Sequence, residues 1–210
     1  MHILFNGDSY TWGDELLYRL RDRFSNLVSK HYNATSNNIS ICGNSNDAIA
    51  RTTMEWFLHN KTCDLSIIQL APMSRFEGWN PQKKKYYHVT IQKTPGWKEF
   101  YIEHYQDKLA ADNLFKNYYL LEQFFIARKI KYVFMLHDAW DQHLVESSNI
   151  WKSMIVQKPI YYIRGHDFIE NVILPEKDKK DLIVSNGNHP NELGHQKIAQ
   201  HIIDTIGTLQ

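Results

Sequence analysis

The sequence predicts an α/β fold in which a parallel sheet carries helices on both faces. Short apolar runs recur at residues 3–5, 39–42, 65–70 and 131–136, with helical spacing interleaved between them. The runs lack polar alternation, as strands buried on both faces do. Each also stops at a polar turn, and open parallel sheets bind ligands there, outside the carboxyl ends of their strands.

Taken in order, residues 2–6 form the first strand. Leu16, Leu17, Leu20, Phe24, Leu27 and Val28 recur at helical spacing and predict a helix over 13–30. Asn and Ser crowd 31–38, which reads as a loop. Residues 39–42 form a second strand, and a helix follows with Asn46 or Asp47 as its cap. Residues 65–70 form a third strand. Residues 78–104 show no clear period and read as an irregular insertion rich in Trp, Tyr and Lys; its aromatic rings either form a sugar platform or pack over the core. A long amphipathic helix spans 107–128, and a fourth strand covers 131–136. Residues 141–180 are mixed, with a short helix near 147–154 and an edge strand around 160–163. A last helix runs from about 191 to 206. No linker or repeat interrupts the chain, so 1–210 reads as one domain.

Composition narrows the function classes. Lys and Arg number 24 against 23 Asp and Glu, so the near-neutral balance gives no signal for nucleic acid or a membrane surface. The two cysteines, Cys42 and Cys63, have no CxxC spacing and read as reduced thiols. Neither a signal peptide nor a membrane-length apolar run is visible, so the chain is expected to be cytoplasmic when made.

The chemistry lies at the two ends. Asn6-Gly7-Asp8-Ser9 brings a serine from a strand to the head of a helix, a common way to expose a nucleophile. His189 stands before Pro190 and Asn191 at the mouth of the last helix, where it can reach the same sheet edge. A histidine so placed takes the hydroxyl proton as general base and returns it to the leaving alcohol. The turns after the strands bring Gly43, Asn46, Arg75 and His137 to that edge as well.

GDSYTWG near the start and HPNELGH near the end resemble the first and last signature blocks of the SGNH (GDSL-type) hydrolases. The resemblance implies a flavodoxin-like three-layer α/β/α fold of about five parallel strands and an esterase, deacetylase or acyl-transferase activity. It makes Ser9 the nucleophile, His189 the base and Gly43, with the Ser9 N–H, an oxyanion donor. The chain departs from the family pattern at two positions. Asn186 stands where the family has an Asp to orient the histidine, and Met73 stands where the family has an Asn donor. Asn186 is expected to orient His189 without neutralising it. Asn46 is the candidate replacement donor, and Asn44 a weaker candidate for substrate contact. Arg75 either binds an anionic substrate group or pairs with Glu77.

His137, Asp138, Asp141 and His143 fit no strong metal-ligand spacing and read as a solvated loop. His195 reads as a helix-packing residue. The expectation is therefore a serine esterase acting on a small O-acyl ester such as an acetylated carbohydrate, with no metal or organic cofactor. The alternatives are a non-catalytic glycan-binding or structural protein with this fold, and an O-acyltransferase.

Overall fold

The computed structural model describes residues 1–59, 62–90, 96–136, 162–163, 182, 184 and 189–207. Its main sheet is parallel and contains β1 (His2–Asn6), β2 (Thr35–Asn38), β3 (Leu65–Leu70), β6 (Lys131–Leu136) and β7 (Tyr162–Ile163), in the order β2-β1-β3-β6-β7. This is the flavodoxin-like order. The chain winds from β1 to one side and then returns to the other, so a crevice opens between the carboxyl ends of β1 and β3.

Strand alternation explains the layers. Ile3, Phe5, Leu65, Ile67, Val133 and Met135 point to one face, under α3 (Phe24–His31) and α7 (Glu192–Gly207). Leu4, Ile68, Leu70 and Phe134 point to the other, under α4 (Asn46–His59) and α6 (Asp107–Arg128). Successive side chains leave a strand on opposite faces, so an uninterrupted apolar run requires cover on both. The α4 and α6 helices are also joined by Asp47, whose carboxylate accepts from Asn113 and Asn117 at 3.0 and 2.9 Å. Capping of α4 falls to Ser45, whose hydroxyl accepts the Ala48 N–H, rather than to Asn46 or Asp47.

Three expectations are corrected. The helix expected over 13–30 is replaced by two pieces, α2 (Arg19–Asp22) and α3, and a separate short α1 (Ser9–Trp12) precedes that span. Gly13 and Glu15 adopt left-handed backbone (φ 80° and 65°), which no α-helix continues through. Leu17 and Leu20, counted toward the periodicity, are exposed. The second strand lies at Thr35–Asn38, inside the expected loop, rather than at 39–42. An edge strand with exposed side chains carries no apolar signature, and its register comes from backbone pairing with β1.

The insertion is also regular. Its β4 (Phe76–Asn80) and β5 (Lys85–Val89) form an antiparallel hairpin, followed by α5 (Trp97–Glu103). Trp79 opposite Tyr86 supplies an aromatic cross-strand pair, and the Arg51 guanidinium lies 3.9 Å from the Tyr86 ring centre. The short helix expected near 147–154 lies outside the described residues. No helix among the described residues is long and apolar enough to cross a membrane.

Candidate active site

The turn that carries Ser9 is held by buried polar side chains. At the end of β1, Asn6 Oδ1 accepts the Gly7 N–H, while its Nδ2 donates to Ile49 O and Thr53 Oγ1 in α4. Gly7 must be glycine, because a Cβ there would lie 2.4 Å from Thr11 Oγ1 and 2.9 Å from Gln69 Cβ. Asp8 is fully buried and caps α1 by accepting the Tyr10 N–H at 3.0 Å. The same carboxylate accepts from Gln69 Nε2 at 2.9 Å and from Arg75 Nη1 at 2.6 Å. Gln69 in turn accepts the Thr11 N–H and hydroxyl through Oε1. A buried carboxylate is tolerated only when its lone pairs are met in this way. Ser9 itself is 5% exposed.

Gly43 lies in a turn tied to that same segment. Asn44 Nδ2 and the Ile41 N–H both donate to Gly7 O, at 3.0 and 3.3 Å. Gly43 has φ 77°, so its peptide orientation is one that side chains disfavour. Beside it, burial together with Asp14 and Asp8 pushes the Cys42 thiol up to about 12, which keeps it a neutral thiol rather than a rival nucleophile. Asn46 is buried, and both ends of its amide meet Ala71: Oδ1 accepts the Ala71 N–H and Nδ2 donates to Ala71 O. One Nδ2 proton is left for any other acceptor. Met73 packs against the α4–α6 core.

His189 reaches the Ser9 segment from the opposite end of the chain. Its ring lies 5.6 Å from the Tyr10 ring, one residue beyond Ser9. Its Nδ1 is 3.1 Å from Glu15 Oε2, and its Nε2 is 4.0 Å from Asp14 Oδ2. The Nδ1 contact lacks hydrogen-bond alignment, so this buried nitrogen has no hydrogen-bond partner among the described residues. The imidazole therefore faces Tyr10, Asp14 and Glu15 rather than making a hydrogen bond to Ser9. Catalytic hydrogen bonds commonly close only around substrate.

Arg75 and Glu77 do not pair. Arg75 is drawn to Asp8, while Glu77 accepts a bidentate contact from Arg51 of α4 at 2.6 and 3.0 Å. His195 is fully buried, accepts the Phe24 N–H at Nδ1 and stacks on the Phe24 ring. Burial, with His189 nearby, lowers its pKa to about 3, so it is a neutral acceptor joining α7 to α3.

The structure thus brings together Ser9, Gly43, His189 and the Asp8–Arg75 pair. Asn186 lies outside the described residues, as do His137, Asp138, Asp141 and His143. Among the described residues no group of three or more His, Cys, Asp or Glu side chains could hold a metal. Sequence reading missed Asn6, Gln69 and Glu15, and did not give Asp8 its role. Gln69 did carry a signal, as a polar residue inside the fully buried strand LSIIQL.

The doubly wound parallel topology, with a serine turn at the β1 carboxyl end, is similar in fold to solved structures of esterases and G-D-S-L lipolytic proteins. The psychrotrophic esterase EstA from a Pseudoalteromonas species superposes with a TM-score of 0.64 at 13% identity, covering 99% of this chain and 97% of that one. A lipolytic G-D-S-L family member from Veillonella parvula gives 0.55 at 14% identity, covering 97% of each chain. The salicylyl-acyltransferase SsfX3 from a tetracycline biosynthetic pathway gives 0.60 at 12% identity, with 99% of this chain matched to 55% of that one. No protein-family model and no curated protein matches the sequence.

Proposed function

We propose that the protein is a serine esterase acting on small O-acyl esters. The observation that carries this reading is the convergence at the β1–β3 crevice: Ser9 on a buried, cross-braced turn, the Gly43 turn tied to Gly7, and His189 against Tyr10.

In this mechanism Ser9 Oγ attacks the ester carbonyl and forms the C–O bond of the acyl-enzyme, passing its proton to His189 Nε2. The carbonyl oxygen gains negative charge and meets the backbone N–H groups of Ser9 and Gly43, with the remaining Asn46 amide proton as third donor. Donors aimed at developing charge are commonly the largest catalytic contribution. The C–O bond to the leaving alcohol then breaks as His189 returns the proton. Water, deprotonated by the same histidine, attacks the acyl carbonyl; the C–O bond to Ser9 breaks, the acid leaves and His189 returns the proton to Ser9 Oγ. Arg75, 21% exposed at its side chain, braces Asp8 and keeps donors for an anionic substrate group.

The finer substrate reading is an O-acetylated carbohydrate. Support comes from the aromatic hairpin, which exposes Trp79, Tyr86 and Tyr87, and from Thr90 just beyond β5. Thr90 Cγ2 lies 3.8 Å from where a Gly43 Cβ would be, so the insertion borders the site. An O-acyltransferase is the second reading, favoured by the fold shared with a salicylyl-acyltransferase. The same Ser9 and His189 would then pass the acyl group to an alcohol instead of water, and transferred product on adding acceptor alcohols would reveal it.

The test is hydrolysis of short-chain nitrophenyl esters by the wild type and by Ser9→Ala. Turnover is expected to fall by a factor of about 10³ or more in the variant. Equal rates would remove Ser9 as nucleophile.

A further inference from the structure

Building on the esterase reading, we propose that Glu15 is the positioning carboxylate of His189, taking the task that the resemblance would assign to the position of Asn186. Three observations support it. A single oxygen, Glu15 Oε2, lies 3.1 Å from His189 Nδ1 and accepts the His189 backbone N–H at 3.3 Å, so it stands against both the ring and the chain that carries it. The Nδ1 atom is buried without an aligned hydrogen bond among the described residues, and Glu15 Oε2 is an acceptor within reach of it at 3.1 Å. Glu15 also holds a left-handed backbone, φ 65°, which is costly for a side-chain-bearing residue and persists only where the surroundings impose it.

The surroundings that impose it are those of the nucleophile. The N–H groups of Gly13 and Asp14 both return to Ser9 O, each at 2.9 Å. The turn that directs Glu15 toward His189 is therefore fastened to the carbonyl of Ser9 itself. Nucleophile and positioning acid come from one seven-residue segment, 9–15, and only the base is supplied from afar.

With Nδ1–H directed at Glu15, the free lone pair is on Nε2, the atom that takes the Ser9 proton. The imidazolium that forms lies beside the carboxylate, which stabilises it without accepting the proton. Among the described residues, the other titratable groups around the ring are Asp14, 4.0 Å from Nε2, Tyr10 in ring contact, and the neutral His195 of α7. None of these lies within hydrogen-bond reach of Nδ1.

The test uses the full chain. Glu15→Gln keeps the shape and removes the charge; kcat is expected to fall about 10²-fold or more while KM changes less than about threefold. Glu15→Asp restores part of kcat. Glu15→Gly suits the left-handed backbone, so it folds with a Tm near wild type and has a kcat as low as Glu15→Gln. Nitrogen-15 spectra of the His189 ring read the tautomer without turnover: Nδ1-protonated in the wild type, with that preference lost in Glu15→Gly. A Glu15→Gln variant within about twofold of wild-type kcat, or an unchanged tautomer in Glu15→Gly, overturns the assignment. Failure of the esterase reading itself looks different: wild-type Ser9 takes no fluorophosphonate, and the tautomer alone then decides the role of Glu15.

Discussion

Ser9 and His189 meet from two unequal kinds of scaffold. The serine side is built from buried polar groups that brace one another: Asn6, Asp8, Gln69 and Arg75 tie β1, β3, α1 and α4 into one rigid corner. Among the described residues, the histidine side offers one carboxylate oxygen at 3.1 Å, another at 4.0 Å and a tyrosine ring, in a side chain 17% exposed. The nucleophile is fixed by the fold before any substrate arrives, whereas the base is set by contacts that a single substitution can rearrange. Damage to the serine corner should therefore show as lost stability together with lost activity. Damage on the histidine side should show in kinetics alone.

Loss of the hydroxyl in Ser9→Ala is the largest expected effect, removing turnover while leaving the braced corner folded. Asp8→Asn comes next. It leaves Arg75 without its charge partner, and breaking one half of a buried ion pair costs about 3 kcal/mol. For a chain of this size that lowers Tm by roughly 6–12 °C, readable by calorimetry. An unchanged Tm would show that the corner does not depend on the pair.

His195 tests the link between α7, which follows the base, and α3. Its folded pKa is depressed to about 3, below the ordinary histidine value of 6.5. Its contribution to stability is therefore fully present above pH 6.5 and is lost as pH falls from there toward 3, because the unfolded chain takes up the proton first. His195→Asn removes this titration while keeping an acceptor for the Phe24 N–H. Urea unfolding at pH 7 and pH 5 should show the variant losing about 2 kcal/mol less than wild type over that interval. Equal losses would mean that His195 does not stay neutral in the fold. The smallest effect is expected from Asn186→Asp: with Glu15 already behind the imidazole, turnover should change by less than about threefold. A large gain would return the orienting role to position 186.

Much of this was legible in the sequence because it rests on periodicity and local motifs. The 65–70 and 131–136 strands, the 107–128 helix and the serine at the end of β1 stand where apolar runs and polar turns place them. The fold class followed from their alternation. What escaped had physical reasons. An edge strand of Thr, Ser and Asn has no apolar face to betray it, so β2 was hidden in an expected loop. Left-handed backbone at a glutamate is set by tertiary contacts and breaks a helix whose leucines keep helical spacing. The partners of Asp8, Arg75 and Glu77 lie across the crevice at long sequence separation, where charge alone does not say which pairs form. Glu15 is the clearest case: thirteen residues from the start of β1 and 174 from His189, it meets the histidine only after the chain has folded.

The most direct measurement is mass spectrometry of the full chain after treatment with a serine-directed fluorophosphonate. One adduct per chain is expected in the wild type, located at Ser9, and none in Ser9→Ala. An unlabelled wild type, or an adduct that persists in Ser9→Ala, would contradict it.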